Sequence, residues 1–192
     1  VPGKEYGHNS LETKLTRNIG PFVDGNSVKY EFECETKDMS GFCVLFSTYA
    51  RVSVGGVIHA KLVDLESGQT VIEKAIPTEE LKDNEYYLLP FAKIPDSKGR
   101  RYSIELSPEH CDLGNAVTIW IGDSEEGQQT IVNGQTESGA LVSGLLVEKK
   151  KYRLLWELLL LTAGSLSLWA IAPKKERPLQ EVPMNGEEGE QQ

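Results

Sequence analysis

Short runs in which apolar and polar residues alternate, each closed by turn residues, fill positions 27 to 147 and restrict the chain to a β architecture. In 27–35, Val28, Tyr30, Phe32 and Cys34 share one face while Lys29, Glu31, Glu33 and Glu35 share the other, which is the two-residue period of a half-buried strand. The same period sets Tyr102, Ile104 and Leu106 against Ser103 and Glu105, and Val117, Ile119 and Ile121 against Thr118 and Trp120. Less regular apolar runs occupy 42–49, 57–63, 70–76 and 86–91. Between the runs stand Lys37-Asp38-Met39-Ser40-Gly41, Gly55-Gly56, Glu66-Ser67-Gly68, Lys82-Asp83-Asn84, 95–99 and 112–115, which supply positive-φ and side-chain-capped turns. Seven or more short strands without intervening helices predict an all-β, antiparallel β-sandwich of jelly-roll type. Only 78–81 reads as one helical turn, and Pro90 places 86–91 at a sheet edge or bulge, because proline cannot donate to a ladder.

The flanks read differently. Pro2, Gly3, Gly7, Gly20 and Pro21 make 1–26 an expected linker. Asn133-Gly134 is a tight-turn pair before the apolar run 140–147, which adds a last strand or connects to the membrane segment. Residues 148–153 form a basic juxtamembrane segment, with Lys149, Lys150, Lys151 and Arg153. The stretch 154–172 then carries one charge, Glu157, in nineteen residues. That is close to the roughly 20 needed to cross a bilayer, so a C-terminal transmembrane helix is expected. Trp156 and Trp169 lie near its ends, where amphipathic rings favour the headgroups. Glu157 falls in the first turn, where it can protonate or reach the interface. Apolar residues surround nearly the whole circumference rather than one stripe, which argues against a surface helix. Lys174, Lys175 and Arg177 come after the span, so the basic residues on its two sides give no orientation. Residues 173–192 are expected to be a disordered acidic tail. No Met precedes Val1, and the chain reads as a processed or truncated piece.

Composition narrows the chemistry. A net charge of -9, from 20 Lys+Arg and 29 Asp+Glu, argues against nucleic acid as a partner. The three histidines, His8, His59 and His110, lack metal-protease or zinc-finger spacing. The run Glu109-His110-Cys111-Asp112 holds four ligand-capable side chains, but neighbours in one loop converge poorly on an ion and read as a polar turn. Asp38, Asp64 and Asp83 stand near turns without the order of a calcium loop. Neither a phosphate-cradling loop nor a nucleophile elbow is present, so no metal, cofactor or catalytic residue is expected and the chain does not read as an enzyme. A carboxylate pair of the glycosidase kind is the remaining catalytic alternative.

Cys34 and Cys43 flank the first turn and are the one candidate disulfide pair, which an oxidising compartment would allow if their Cβ atoms approached within about 4.5 Å, but an unbridged Cys34 is the reading favoured. Cys34 on the apolar face also reads as a small buried hydrophobe, and Cys111 makes the count odd.

The motifs LFSTYAR, GGVIHAKLVDLESGQTV, LKDNEYYLLPFAKIPDSKGRRYSIELSPE and GNAVTIW succeed one another between Val28 and Ile121. In this order they resemble the extracytoplasmic, galactose-binding-like jelly-roll module of bacterial membrane glycosyltransferases and polysaccharide-assembly proteins. The most specific stretch is Ile94-Pro95-Asp96-Ser97-x-Gly99 with Tyr102, and after it Gly114-Asn115-Ala116. The resemblance implies a sandwich outside the cytoplasm and brings no catalytic residues. The chain departs from it in lacking a glycosyltransferase domain and in showing a single span. Modules of this kind bind sugars through exposed aromatics beside amide and charged groups. Tyr49, Arg51, His59, Asn84, Tyr86 and Trp120 are the candidate ligand-binding residues, with core packing as the alternative for the aromatics. The expected protein is a noncatalytic, single-pass, membrane-anchored extracytoplasmic sandwich. Membrane lipid is one partner, and a glycan, envelope polymer or envelope protein is the other. The alternative is an accessory subunit or C-terminal fragment of a membrane glycosyltransferase or polysaccharide-export protein.

Overall fold

The computed structural model describes residues 6–10 and 15–148. The basic, spanning and tail segments expected beyond residue 148 lie outside these, and among the described residues no helix is long and apolar enough to cross a membrane. The strands in chain order are β1 (Tyr6–Ser10), β2 (Leu15–Asn18), β3 (Val28–Glu33), β4 (Met39–Ser47), β5 (Val57–Asp64) and β6 (Thr70–Pro77). After one 3₁₀ turn (Thr78–Glu80) come β7 (Glu85–Ile94), β8 (Arg101–Glu109), β9 (Thr118–Gly122), β10 (Gln129–Val132), β11 (Gln135–Glu137), β12 (Ala140–Leu141) and β13 (Ser143–Glu148).

These strands form two antiparallel sheets, and the all-β sandwich expected from the alternation is the observed architecture. One sheet runs β1-β13-β4-β9-β12, with β7 on the free side of β4 and β2 beside β9; the other runs β11-β10-β3-β8-β5-β6. Alternation decides the inner faces. Val28, Tyr30 and Phe32 of β3, Tyr102, Ile104 and Leu106 of β8, and Ile58, Ala60 and Leu62 of β5 meet Phe42, Val44 and Phe46 of β4, Leu89 of β7 and Ile119 of β9. Phe32 stands at the centre, its ring stacked at 5.5 Å from Tyr30, 5.1 Å from Phe42 and 5.9 Å from Tyr102. Each such buried side chain contributes about 1.5–3 kcal/mol relative to an exposed one. Two polar atoms are enclosed with them: the hydroxyls of Tyr30 and Tyr102 have no geometrically satisfied hydrogen-bond partner. Burial pushes the Tyr102 hydroxyl up to about 12, and burial pushes that of Tyr30 up as well, with Ser143 opposing.

The outer face of the six-stranded sheet is polar by the same alternation. Lys29, Glu105, Lys61 and Glu73 lie in one register row across β3, β8, β5 and β6, so charges of opposite sign face each other at each step. Pro90 sits where proline is tolerated. It lies in β7, which pairs only with β4, and opposite Gly41 where the register slips between Met39 and Gly41.

Two expectations are corrected. The stretch 1–26 contributes two strands and a core residue: β1 pairs with β13, β2 pairs with β9, and Phe22 bridges Val117 while buried at the end of the core. Gly20, at φ 83, is the turn that delivers Phe22. Asn133 (φ 51) and Gly134 (φ 78) turn β10 into β11 rather than into the 140–147 run. Of the two readings of Cys34, the free and buried thiol is the observed one, and Cys43 and Cys111 are free and buried as well. The Cys34 Sγ lies in the core beside the Met39 sulfur at 3.8 Å, whereas Cys43 alternates with the core residues Phe42 and Val44 and so projects from the other face of β4. A Cys34–Cys43 bridge would have to pass through a strand.

Candidate ligand site at the β4–β7–β9 end

Strand direction sorts the loops into two groups. β4 ends at Ser47 where β7 begins at Glu85 and β9 begins at Thr118, so the loops 48–56, 78–84 and 110–117 gather at one pole. The opposite pole receives β1 and β13, paired Tyr6 to Glu148.

At the loop pole the chain leaves β4 through Tyr49 (φ 58) and Ala50 (φ 56), two non-glycine residues in the left-handed region. The Arg51 N–H closes this turn on the Thr48 carbonyl at 3.2 Å. Such a turn is strained unless other groups fix it. Asp83 fixes it, accepting the Ser47 hydroxyl at 2.6 Å and the Thr48 N–H at 2.8 Å. These hydrogen bonds, led by Ser47, hold the Asp83 carboxyl below the usual carboxylate range. The turn directs Arg51 back over the Tyr49 ring, 5.5 Å from its centroid, while the guanidinium donates to the Ala116 carbonyl at 2.8 Å.

Asn84, also left-handed at φ 55, carries the arrangement onto the sheet. Its amide nitrogen donates to Asp83 Oδ2 at 3.1 Å, and its Oδ1 accepts the Trp120 Nε1–H at 3.1 Å. Ile119 faces the core, so Trp120 projects from the outer face of the seven-stranded sheet, and its indole reaches from β9 across β4 to the residue before β7. Tyr86 projects from that same face, since Tyr87 and Leu89 on either side of Leu88 pack against the core. Tyr86 lies opposite Leu45 and in line with the exposed Leu88. An indole, a phenol and an amide–carboxylate pair thus share one open surface.

Five of the six residues singled out in the sequence, Tyr49, Arg51, Asn84, Tyr86 and Trp120, therefore fall at one end of one sheet. His59 does not join them. It lies on the outer face of the other sheet, with its Nε2 at 2.6 Å from Glu109 Oε2, and His110 approaches the second oxygen of that carboxylate at 3.8 Å. Asp83 is the group that sequence reasoning undervalues, since by sequence it is only a turn aspartate near a conceivable cation site. Its signal is the pair Asp83-Asn84 directly before a strand, the pattern of side chains that cap backbone N–H groups. Asp64 is similar: burial raises its carboxyl, but the Glu66 and Ser67 N–H groups and Arg100 outweigh that and leave it lowered. Asp38 faces Lys93 at 3.4 Å. The three aspartates hold separate turns, and among the described residues no group of three or more ligand-type side chains converges.

No protein-family model and no curated protein matches this chain. Two solved structures of infectious bursal disease virus show a distant likeness. For the VP2 subviral particle the identity is 12%, over 83% of this chain and 46% of that one, with a TM-score of 0.24. For the Gt strain the identity is 17%, over 78% of this chain and 40% of that one, with a TM-score of 0.22. The chain spans less than half the length of either structure, and scores this low carry no argument about function.

Proposed function

We propose that this chain is a noncatalytic binding module, a jelly-roll-type sandwich anchored by segment 154–172 and displayed outside the cytoplasm, which holds a glycan or envelope polymer at the Trp120–Asn84–Tyr86 surface. The observation that carries the reading is the hydrogen bond of the half-buried Trp120 to Asn84 on the outer face of the sheet, Nε1–H to Oδ1 at 3.1 Å, which satisfies the indole nitrogen without a ligand. Asn84 is in turn oriented by Asp83, so polar groups stand ready at the edge of the ring without rearrangement. The surface lies toward the loop pole of the sandwich. The sequence resemblance to galactose-binding-like modules of bacterial membrane glycosyltransferases agrees with this reading.

The test uses the full chain reconstituted in nanodiscs. Titration with envelope oligosaccharides is monitored by tryptophan emission and calorimetry, with Trp120→Ala as control. Saturable binding that Trp120→Ala abolishes supports the reading; a folded protein that binds none of them removes the glycan. Release of the full chain from membranes by alkaline carbonate would remove the anchor.

A second reading, an accessory part of a membrane glycosyltransferase or polysaccharide-export protein, is favoured by one observation. Antiparallel pairing of Tyr6 with Glu148 makes the chain enter and leave the sandwich side by side at one pole. That geometry suits a domain threaded between two membrane segments. Sequencing the reading frame upstream of Val1 tests it: a further hydrophobic span there supports the reading, and a cleaved signal peptide opposes it.

A further inference from the structure

At the loop pole, beside the aromatic surface, two loops are fastened to each other. The Asn115 amide nitrogen donates to the Val54 carbonyl at 3.2 Å and to the His110 carbonyl at 2.9 Å. The buried Ser53 hydroxyl donates to the Asn115 carbonyl, and Asn115 Oδ1 accepts the Asp112 N–H at 2.7 Å. Loops fixed this way do not fold their apolar side chains inward. Val52 is 82% exposed, Val54 62% and Leu113 72%. Isolated exposed apolar residues are ordinary, but three held out by one asparagine form a preset apolar tip.

Next to the tip lies a cleft of about 460 Å³ in which Val52 forms one wall and the carboxylates of Glu79 and Asp83 another. Arg51 and Lys82 line the cleft too, Arg51 donating to the neutral Ala116 carbonyl at 2.8 Å and Lys82 facing Glu85 at 3.4 Å, so neither cation pairs with Glu79. Asp112, next to Leu113 in the chain, adds negative charge on that side. The pole therefore combines an apolar centre with an acidic rim, and its complement is an apolar surface rimmed by basic side chains. The nine residues of β4 separate this pole from the one at which the chain leaves β13, about 27 Å at ~3.4 Å per residue.

We propose that the Val52–Val54–Leu113 tip is a docking surface for a protein partner that covers it with apolar side chains and places a lysine or arginine in the cleft beside Glu79. The tip residues Val52, Val54 and Leu113 lie outside the aromatic surface, so variants at them read docking separately from glycan binding.

The test places a photo-crosslinking amino acid at Val52 or at Leu113 in the full chain in its native membrane, with Leu65 at the opposite pole as the control position. A discrete protein adduct is expected from Val52 and Leu113 and not from Leu65. The captured protein is then purified and titrated against full chain in nanodiscs. Val52→Asp and Leu113→Asp are expected to weaken binding at least about tenfold with an unchanged thermal midpoint. Glu79→Gln and a rise in salt are expected to weaken it as well. The proposal is overturned by adducts only to lipid, by adducts only to a second copy of this acidic chain, by no adduct, or by variants that bind as the wild type does.

Discussion

Asp83 accepts the backbone N–H of Thr48 at 2.8 Å, which ties the start of β7 to the end of β4 across 35 residues of sequence. The bond decides how the aromatic surface is built, because the same carboxylate takes the Ser47 hydroxyl and the Asn84 amide.

Asp83→Asn should therefore lower the thermal midpoint and also reduce ligand binding at Trp120, through Asn84. The sign of the pH dependence comes from the lowered carboxyl. A carboxylate depressed in the folded state stabilises above its unfolded pKa of about 3.9, and that stabilisation disappears as pH falls through the folded value. The difference in midpoint between wild type and Asp83→Asn should be constant from pH 7 to about pH 5 and should close at lower pH. Scanning calorimetry across that range measures it; a difference that persists at pH 2 would mean that the asparagine acts through something other than charge.

Tyr102→Phe tests the enclosed hydroxyls. Removing a buried hydroxyl without a partner takes away a desolvation cost and leaves the ring packing intact. The variant should be as stable as wild type or more stable, by up to about 1 kcal/mol, in urea unfolding. The neighbouring Phe32→Ala should lose about 3–5 kcal/mol, since it empties the centre of three stacked rings.

The thiols give a third outcome. Burial pushes the Cys43 thiol up to about 12, and burial raises Cys111 too. A thiol reacts as its thiolate, so native protein should consume no thiol reagent on the minute timescale and three equivalents after unfolding. Intact mass without reductant should match three reduced cysteines. Loss of two mass units would show a bridge and force a rearrangement of β4.

How much the sequence reveals depends on how locally each feature is encoded. The inner faces of β3 and β8 are legible because one side of each strand is apolar and the other charged, so the period of two survives. β4 is less so. All nine of its residues are buried, and a strand covered on both faces shows a run rather than an alternation. The strands β1 and β2 are hidden for a different reason. Their pairing with β13 and β9 joins the two ends of the domain, and no local pattern announces contacts at that separation. The grouping of Tyr49, Asn84 and Trp120 comes from two loops and strand β9 meeting at one pole; the sequence contains the residue types but not the meeting. His59 has the same local appearance as the others and belongs to the other sheet.

Gly41 offers a last test of that covered strand. A β carbon at this position would sit 2.6 Å from Leu146 Cδ1 and 3.0 Å from the Leu89 carbonyl oxygen. The leucine tip can rotate away, but the carbonyl belongs to the ladder between β4 and β7 and can move only with the strand. Gly41→Ala should cost about 1–3 kcal/mol, the usual range for overpacking. In the double variant Gly41→Ala/Leu146→Ala, the relief at Leu146 should make the combined loss smaller than the sum of the single losses, without restoring the stability of Leu146→Ala alone. Strict additivity in urea unfolding would mean that the two residues do not share this space, and would remove the close approach of β13 and β7 over Gly41 as the reason for glycine there.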